Sequence, residues 1–135
     1  MVGGSSLQSL EPSKFNFMAA HNELGKWGEE LATAYLRDLG YVIVERDWSC
    51  GRSDLDIVAL DDETVVIVEV KTRRNQRFGL PEEAVDYQKI RLLQQAAHLF
   101  VKSHNIDGDL RFDIIAITGS PDEVQPVIKH LKNAF

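Results

Sequence analysis

The sequence predicts a single α/β domain with the element order αβββαβ, and three observations carry that expectation. Apolar residues recur every three or four positions in two separate segments. Runs rich in Val and Ile, of strand length, lie between and after those segments. The acidic triplet Asp61-Asp62-Glu63 joins two of the runs by a tight turn, so they form a hairpin. A hairpin combined with a strand reached through a helix makes a mixed sheet with helices covering it.

Residues 1–17 (MVGGSSLQSLEPSKFNF) show no sustained period and lack the basic and apolar regions of a signal peptide, so they are expected to be a flexible extension. Patterning starts at Met18, a candidate biological start, and residues 18–135 form the expected domain. From Asn22, a possible N-cap, the apolar positions Leu24, Trp27, Leu31, Tyr35 and Leu39 mark the first helix, with Gly40 standing where a C′ glycine would. Tyr41 to Asp47 reads as a strand, Trp48 to Ser53 as a loop, and Asp54 to Leu60 and Thr64 to Lys71 as the hairpin. Residues 72–80 are a polar loop; Pro81, Glu82 and Glu83 then suit a first helical turn. The second helix is expected to reach about Ser103 with Val85, Leu92, Leu93, Ala96 and Phe100 inward. Leu110 to Thr118 is a fourth strand, Gly119 to Asp122 a turn, and the tail from Val124 is open between a short edge strand and a short helix.

A chain of 135 residues supports one core rather than two. No apolar run approaches the length of a membrane span, so no membrane contact is expected. Cys50 is the only cysteine, which excludes an intramolecular disulfide framework and suits a reducing, cytoplasmic location. The formal net charge of −6 argues against bulk coating of nucleic acid, so any phosphate-binding surface must be local.

Side chains two apart on a strand share a face, which pairs Asp54 with Asp56 and Glu69 with Lys71. A turn centred on Asp62 and Glu63 sets Leu60 opposite Val65, Val58 opposite Ile67, Asp56 opposite Glu69 and Asp54 opposite Lys71. Three carboxylates and an ammonium then occupy one patch, with Leu55, Ile57, Val66, Val68 and Val70 on the apolar other face. Opposed carboxylates repel unless a cation lies between them, and Mg²⁺ or Mn²⁺ is the simplest such cation. An ammonium beside it can orient the attacking water or stabilise charge on a phosphate, which outlines phosphodiester hydrolysis. The competing reading makes Asp56 and Glu69 solvated strand-face charges and Lys71 a strand-end lysine paired with Asp54.

Asp56, twelve intervening residues and Glu69-Val70-Lys71 resemble the core of the PD-(D/E)XK nuclease superfamily. Further matches are G25-K-W-G-E29-E-L-A32, S53-D-L-D-I-V-A59, V68-E-V-K-T-R73, F78-G79, Lys89 and R111-F-D113. Together, over about Ala20 to Phe135, they resemble the YraN-like family of small bacterial proteins, similar in fold to archaeal Holliday-junction resolvases. The resemblance implies a restriction-endonuclease-like mixed sheet. It also implies Glu29 as a carboxylate reaching the site from the first helix, Asp56, Glu69 and the Val70 carbonyl as metal ligands, and Lys71 as the catalytic lysine. Two positions depart from the pattern: Ser53-Asp54 replaces the usual Gly-Glu, giving Asp54 the shorter reach, and Leu55 replaces the superfamily's proline.

Residues 70–91 carry Lys71, Arg73, Arg74, Arg77, Lys89 and Arg91 against Glu82, Glu83 and Asp86. This stretch is either a solvated loop or a backbone-phosphate surface, and its place after the catalytic strand favours the surface, with Gln76 and Phe78 available to a base or sugar. Lys89, four after Val85 and three before Leu92, faces the sheet. His21, His98, His104 and His130 show no metal-binding spacing and read as scattered surface histidines. Trp27 reads as core; Trp48 covers the hydrophobic edge or stacks on a base. No nucleotide-cofactor loop is present. The expected function is a metal-dependent endonuclease acting on DNA, branched or damaged forms included, with RNA not excluded. A junction substrate suits a two-fold homodimer. The rival is a catalytically silent binding or interaction module on the same fold.

Overall fold

The computed structural model describes residues 12–122 and 125–135, with side chains from residue 19 onward. Helix α1 spans Pro12–Asp38, followed by strands β1 (Val42–Cys50), β2 (Ser53–Asp61) and β3 (Thr64–Arg73). A 3-10 turn at Pro81–Ala84 leads into helix α2 (Tyr87–Ser103), then β4 (Leu110–Thr118) and β5 (Val127–Leu131). The five strands lie in the order β1-β2-β3-β4-β5, antiparallel except for the parallel β3–β4 pair that α2 connects. This is the expected mixed sheet flanked by helices, consistent with a restriction-endonuclease-like fold.

Helix α1 starts at Pro12, upstream of the expected cap at Asn22, and so takes in part of the segment read as an extension. The expectation for residues 1–11 lies outside the described residues. The helix ends as the glycine foretold: Gly40 has φ +92°, its N–H donates to the Arg37 carbonyl, and the Tyr41 N–H reaches back to Leu36. Leu39 lies beyond the last helical residue and is exposed rather than inward.

Strand β1 runs on through Trp48 to Cys50, where a loop was expected, because those residues pair with Leu55, Asp54 and Ser53. The second helix is broken where continuity was expected. After the 3-10 turn, Val85 leaves helical geometry and Asp86 restarts it, its Oδ1 accepting from the Lys89 N–H at 2.9 Å. Leu93, Ala96 and Phe100 lie inward as expected, joined by Ala97 and with Val85 packed against them, whereas Leu92 is 57% exposed. The tail resolves as edge strand β5, paired with β4.

Both sheet faces are covered. Ala32 and Leu36 of α1 pack on Ile57, Ala59, Val66, Val68, Val70, Ile115 and Ile117. Leu93, Ala96, Ala97 and Phe100 of α2 pack on Leu55, Val58, Val65 and Ile67. Trp48 closes that second cluster edge-on to Phe100, their rings 5.2 Å apart, and Trp27 packs at the rim of the first. Leu55 belongs to the face under α2 and Ile57 to the face under α1, so they do not share one apolar face as expected. Strand alternation is therefore interrupted at Asp56.

Candidate active site

The hairpin register is the one read from the turn, with Ile57 opposite Val68, Val58 opposite Ile67 and Leu60 opposite Val65, but the ladder stops there. Toward Ser53, β2 stays with β1, while β3 stays with β4 as far as Arg73 opposite Thr118. The sheet splits between β2 and β3, and Asp56 stands in the opening. Its Oδ2 accepts the Val70 N–H at 2.9 Å, taking up a backbone donor that the missing ladder leaves over. Asp54 pairs with Ser49 across β1 and is exposed, so it neither faces Lys71 nor joins the site.

The split opens a cavity of about 250 Å³ lined by Glu29, Asp56, Glu69, Lys71, Lys89 and Arg73, among others. Glu69 is 3% exposed, and both ammonium groups converge on its Oε2, Lys71 Nζ at 3.4 Å and Lys89 Nζ at 3.5 Å. Lys89 reaches it from the first turn of α2, whose start Asp86 sets.

Glu29 comes from α1, and Gly28 explains how. A Cβ at Gly28 would lie 1.9 Å from Thr72 Oγ1, so only glycine lets the helix lie this close to β3. Gly25, one turn earlier, lines the same cavity with nothing within 4 Å of its missing Cβ. Glu30, the neighbouring glutamate, pairs with Arg46 at 3.0 Å away from the cavity.

The site is short of positive charge. Burial, then the neighbouring Asp56 carboxylate, push Glu69 up to about 7 in spite of its two lysines. Asp56 is raised as well, chiefly by burial, against the opposing pull of the Val70 N–H, Glu69 and the two lysines. Glu29 is pushed up to about 8 by burial, by a hydrogen bond to Asp47 and by the Asp56 charge. A small, buried carboxylate pair with both pKa values raised is equally a place for a cation.

Asp47 is the residue that sequence reasoning missed. It holds φ +50° inside β1, and Asp is among the few non-glycine residues that tolerate that region. Its side chain meets Glu29 at a second opening beside Gly25 and His21. The one signal for it was an aspartate, poor in strand propensity, at the end of the β1 run.

The donor set suits a hard divalent ion of the kind that keeps most of its waters. Asp56 and Glu69 side by side offer two carboxylates, and Val70, between Glu69 and Lys71, also lines the cavity. Among the described residues no three His, Cys, Asp or Glu side chains form a complete cage, so waters or substrate oxygens would complete the shell.

Of the expected phosphate contacts, Lys89 is drawn into the cavity by Glu69. Arg73 borders it, Arg74 lies 4.0 Å from Asp122, and Arg77 sits exposed in the loop before Pro81. His130 is not a surface histidine: its Nε2 lies 2.7 Å from buried Asp113, which also takes two bonds from Arg111, at 2.9 and 3.0 Å. Arg111 in turn reaches Asp61 and the Tyr41 hydroxyl, tying β4 to the hairpin and to the start of β1, while His130 ties it to β5.

Fold and site together define a mixed α/β domain whose split sheet holds paired carboxylates beside two lysines. The chain belongs to the Uncharacterised protein family UPF0102, which it matches over residues 28–117, a span that begins at Gly28 and contains Asp56, Glu69, Lys71 and Lys89. This is the YraN-like family that the motifs resemble. The chain is 50% identical over 118 residues to a UPF0102 protein of Bacteroides thetaiotaomicron, covering 87% of this chain and 96% of that one. It is 46% identical over 118 residues to one of Phocaeicola vulgatus, with the same coverage. A relative from Syntrophomonas wolfei is 46% identical over 116 residues, covering 85% of this chain and 99% of its own. Among the described residues no helix is long and apolar enough to cross a membrane.

Proposed function

We propose that this protein is a metal-dependent nuclease of the PD-(D/E)XK type, hydrolysing phosphodiesters of DNA, with branched or damaged forms as the expected substrates. The observation that carries the reading is the placement of Asp56 and Glu69 in one cavity at the split of the sheet, with Lys71 and Lys89 on Glu69. A bound Mg²⁺ or Mn²⁺ would neutralise phosphate charge and acidify water. Asp56 and Glu69 would hold it, with the Val70 carbonyl as a further oxygen.

The chain's own groups do the rest. Lys71, part exposed and tethered by Glu69, places its ammonium where negative charge develops on a phosphoryl oxygen. Lys89 adds a second positive charge from a rigid helix start. The Val70 N–H keeps Asp56 in one orientation. Glu29, with its pKa near 8, holds a proton at neutral pH on the α1 wall.

A silent binding module on the same fold is the second reading, favoured by the lack of a complete ligand cage among the described residues. Purified protein incubated with labelled linear, flap and four-way-junction DNA in Mg²⁺ or Mn²⁺ separates the two. The nuclease reading expects cleavage that disappears in Lys71→Ala, and loss of Mn²⁺ binding by titration calorimetry in Asp56→Asn and Glu69→Gln. DNA retention without cleavage, together with Mn²⁺ heats unchanged in those variants, would overturn it.

A further inference from the structure

Beside the carboxylate cavity, and sharing Leu24, Thr72 and Arg73 with it, lies a second cavity of about 370 Å³ bounded by Arg74, Asn75 and Phe78. Phe78 is 94% exposed, more than any other large apolar side chain described. It is not at the end of a loose loop. The Arg77 N–H donates to Asn75 Oδ1 at 3.0 Å, the Gly79 N–H to the Gln76 carbonyl at 3.2 Å, and Gly79 turns the chain at φ +111°. The segment from Lys71 to Leu80 contains no carboxylate, and among the described residues Arg73 and Arg77 form no ion pair. An aromatic face held in water, between unneutralised guanidinium groups and one cavity away from paired carboxylates, has the elements of a single-strand site: a stacking platform with cations for the flanking phosphates.

We propose that Phe78 stacks on an unpaired nucleobase next to the phosphodiester that enters the carboxylate cavity, with Arg73 and Arg77 on the adjoining phosphates. The substrate class is thereby narrowed to nucleic acid with unpaired bases at the site of attack, such as single strands, flaps and forks, rather than continuous duplex. A base inside a regular duplex has no free face to offer, whereas the Phe78 ring is open to any base that has left the stack. This inference rests on the nuclease reading above and gives it a substrate.

The test is fluorescence anisotropy in EDTA, which stops turnover, with fluorescein-labelled single-stranded, forked and blunt duplex DNA and the Phe78→Ala and Phe78→Tyr variants. Phe78→Ala is expected to weaken single-strand and fork binding by about 5- to 150-fold, the range measured for one base–aromatic stack. Blunt-duplex binding stays where it is, and Phe78→Tyr retains wild-type affinity. A 2-aminopurine placed in the single strand is expected to be quenched by wild type and Phe78→Tyr but not by Phe78→Ala. Equal losses on all three DNAs, or none on any, would overturn the stacking assignment while leaving a cleaving enzyme intact. Absence of binding to every DNA by the wild type would overturn the stacking assignment, and the nuclease reading stands or falls separately on cleavage in Mg²⁺ or Mn²⁺.

Discussion

Replacing Gly28 by alanine sets two opposite effects against each other at one atom. Helix propensity favours alanine by about 0.8–1.0 kcal/mol in a helix interior. Against it, the new Cβ would lie 1.9 Å from Thr72 Oγ1 and 3.0 Å from Thr72 Cβ, on a strand that is itself paired on into β4. Thr72 must leave its rotamer or the helix and strand must move apart, and overpacking of this kind costs about 1–3 kcal/mol. Over most of that range the clash wins, for a net loss of up to about 2 kcal/mol, or up to some 8 °C in melting temperature for a domain of this size. Gly25→Ala is the matched control. It stands on the same helix with nothing within 4 Å, so it keeps the propensity gain and should be neutral or slightly stabilising. Thr72→Ala removes the obstructing hydroxyl and methyl, so the pair Gly28→Ala and Thr72→Ala should couple by at least about 1 kcal/mol in a double-mutant cycle. Urea unfolding of the five proteins, wild type included, measures all of this. If Gly28→Ala is as stable as Gly25→Ala, or if the cycle closes without coupling, then close approach of α1 to β3 is not what Gly28 provides. The account of how Glu29 reaches the cavity would fall with it.

The acidic site should leave a signature in pH. Glu69 and Glu29 are raised to about 7 and about 8, so the folded protein binds their protons more tightly than the unfolded chain does. That contribution is present in full below about pH 4.5 and is lost as pH rises through 7 and 8. In EDTA, Glu69→Gln should therefore flatten the fall in stability between pH 5 and 8 and melt higher than wild type at pH 8; parallel curves would refute it. Asp56→Asn keeps an oxygen for the Val70 N–H and removes a buried charge, so it should be no less stable than wild type. Asp56→Ala orphans that donor and should cost about 1–3 kcal/mol, as denaturant melts will show. At Asp113, burial acts to raise the carboxyl but hydrogen bonds from His130, Arg111 and the Asn133 N–H outweigh it and hold it down to about 2. Its stabilisation is present above about pH 4 and lost as pH falls through 2. Asp113→Ala strands Arg111 and His130 and should cost about 3–5 kcal/mol at pH 7 by the same melts.

Local chemistry made much of this molecule legible in one dimension. Gly40 marked the end of α1 because a left-handed C′ residue costs least as glycine, and the Asp62-Glu63 turn set the hairpin register because a strand's period of two leaves few alternatives. The Glu69-Val70-Lys71 spacing put a carboxylate and an ammonium on one face, and they meet at 3.4 Å. The tertiary structure decided what depends on where elements part. Pairing β3 with β4 rather than wholly with β2 ends the ladder at Ile57, exposes Asp56 to the cavity and sends Asp54 out to solvent. Within α2, packing against the sheet takes Leu93, Ala96, Ala97 and Phe100 as the inward stripe and leaves Leu92, next to it, turned outward. His130 found its place beside Asp113 only when β5 lay against β4, and Asp47 met Glu29 only because Gly28 let α1 settle on the sheet. Short-range patterns specify which backbone a segment prefers, whereas the meeting of distant charges depends on helix phase and strand divergence, which packing between elements sets.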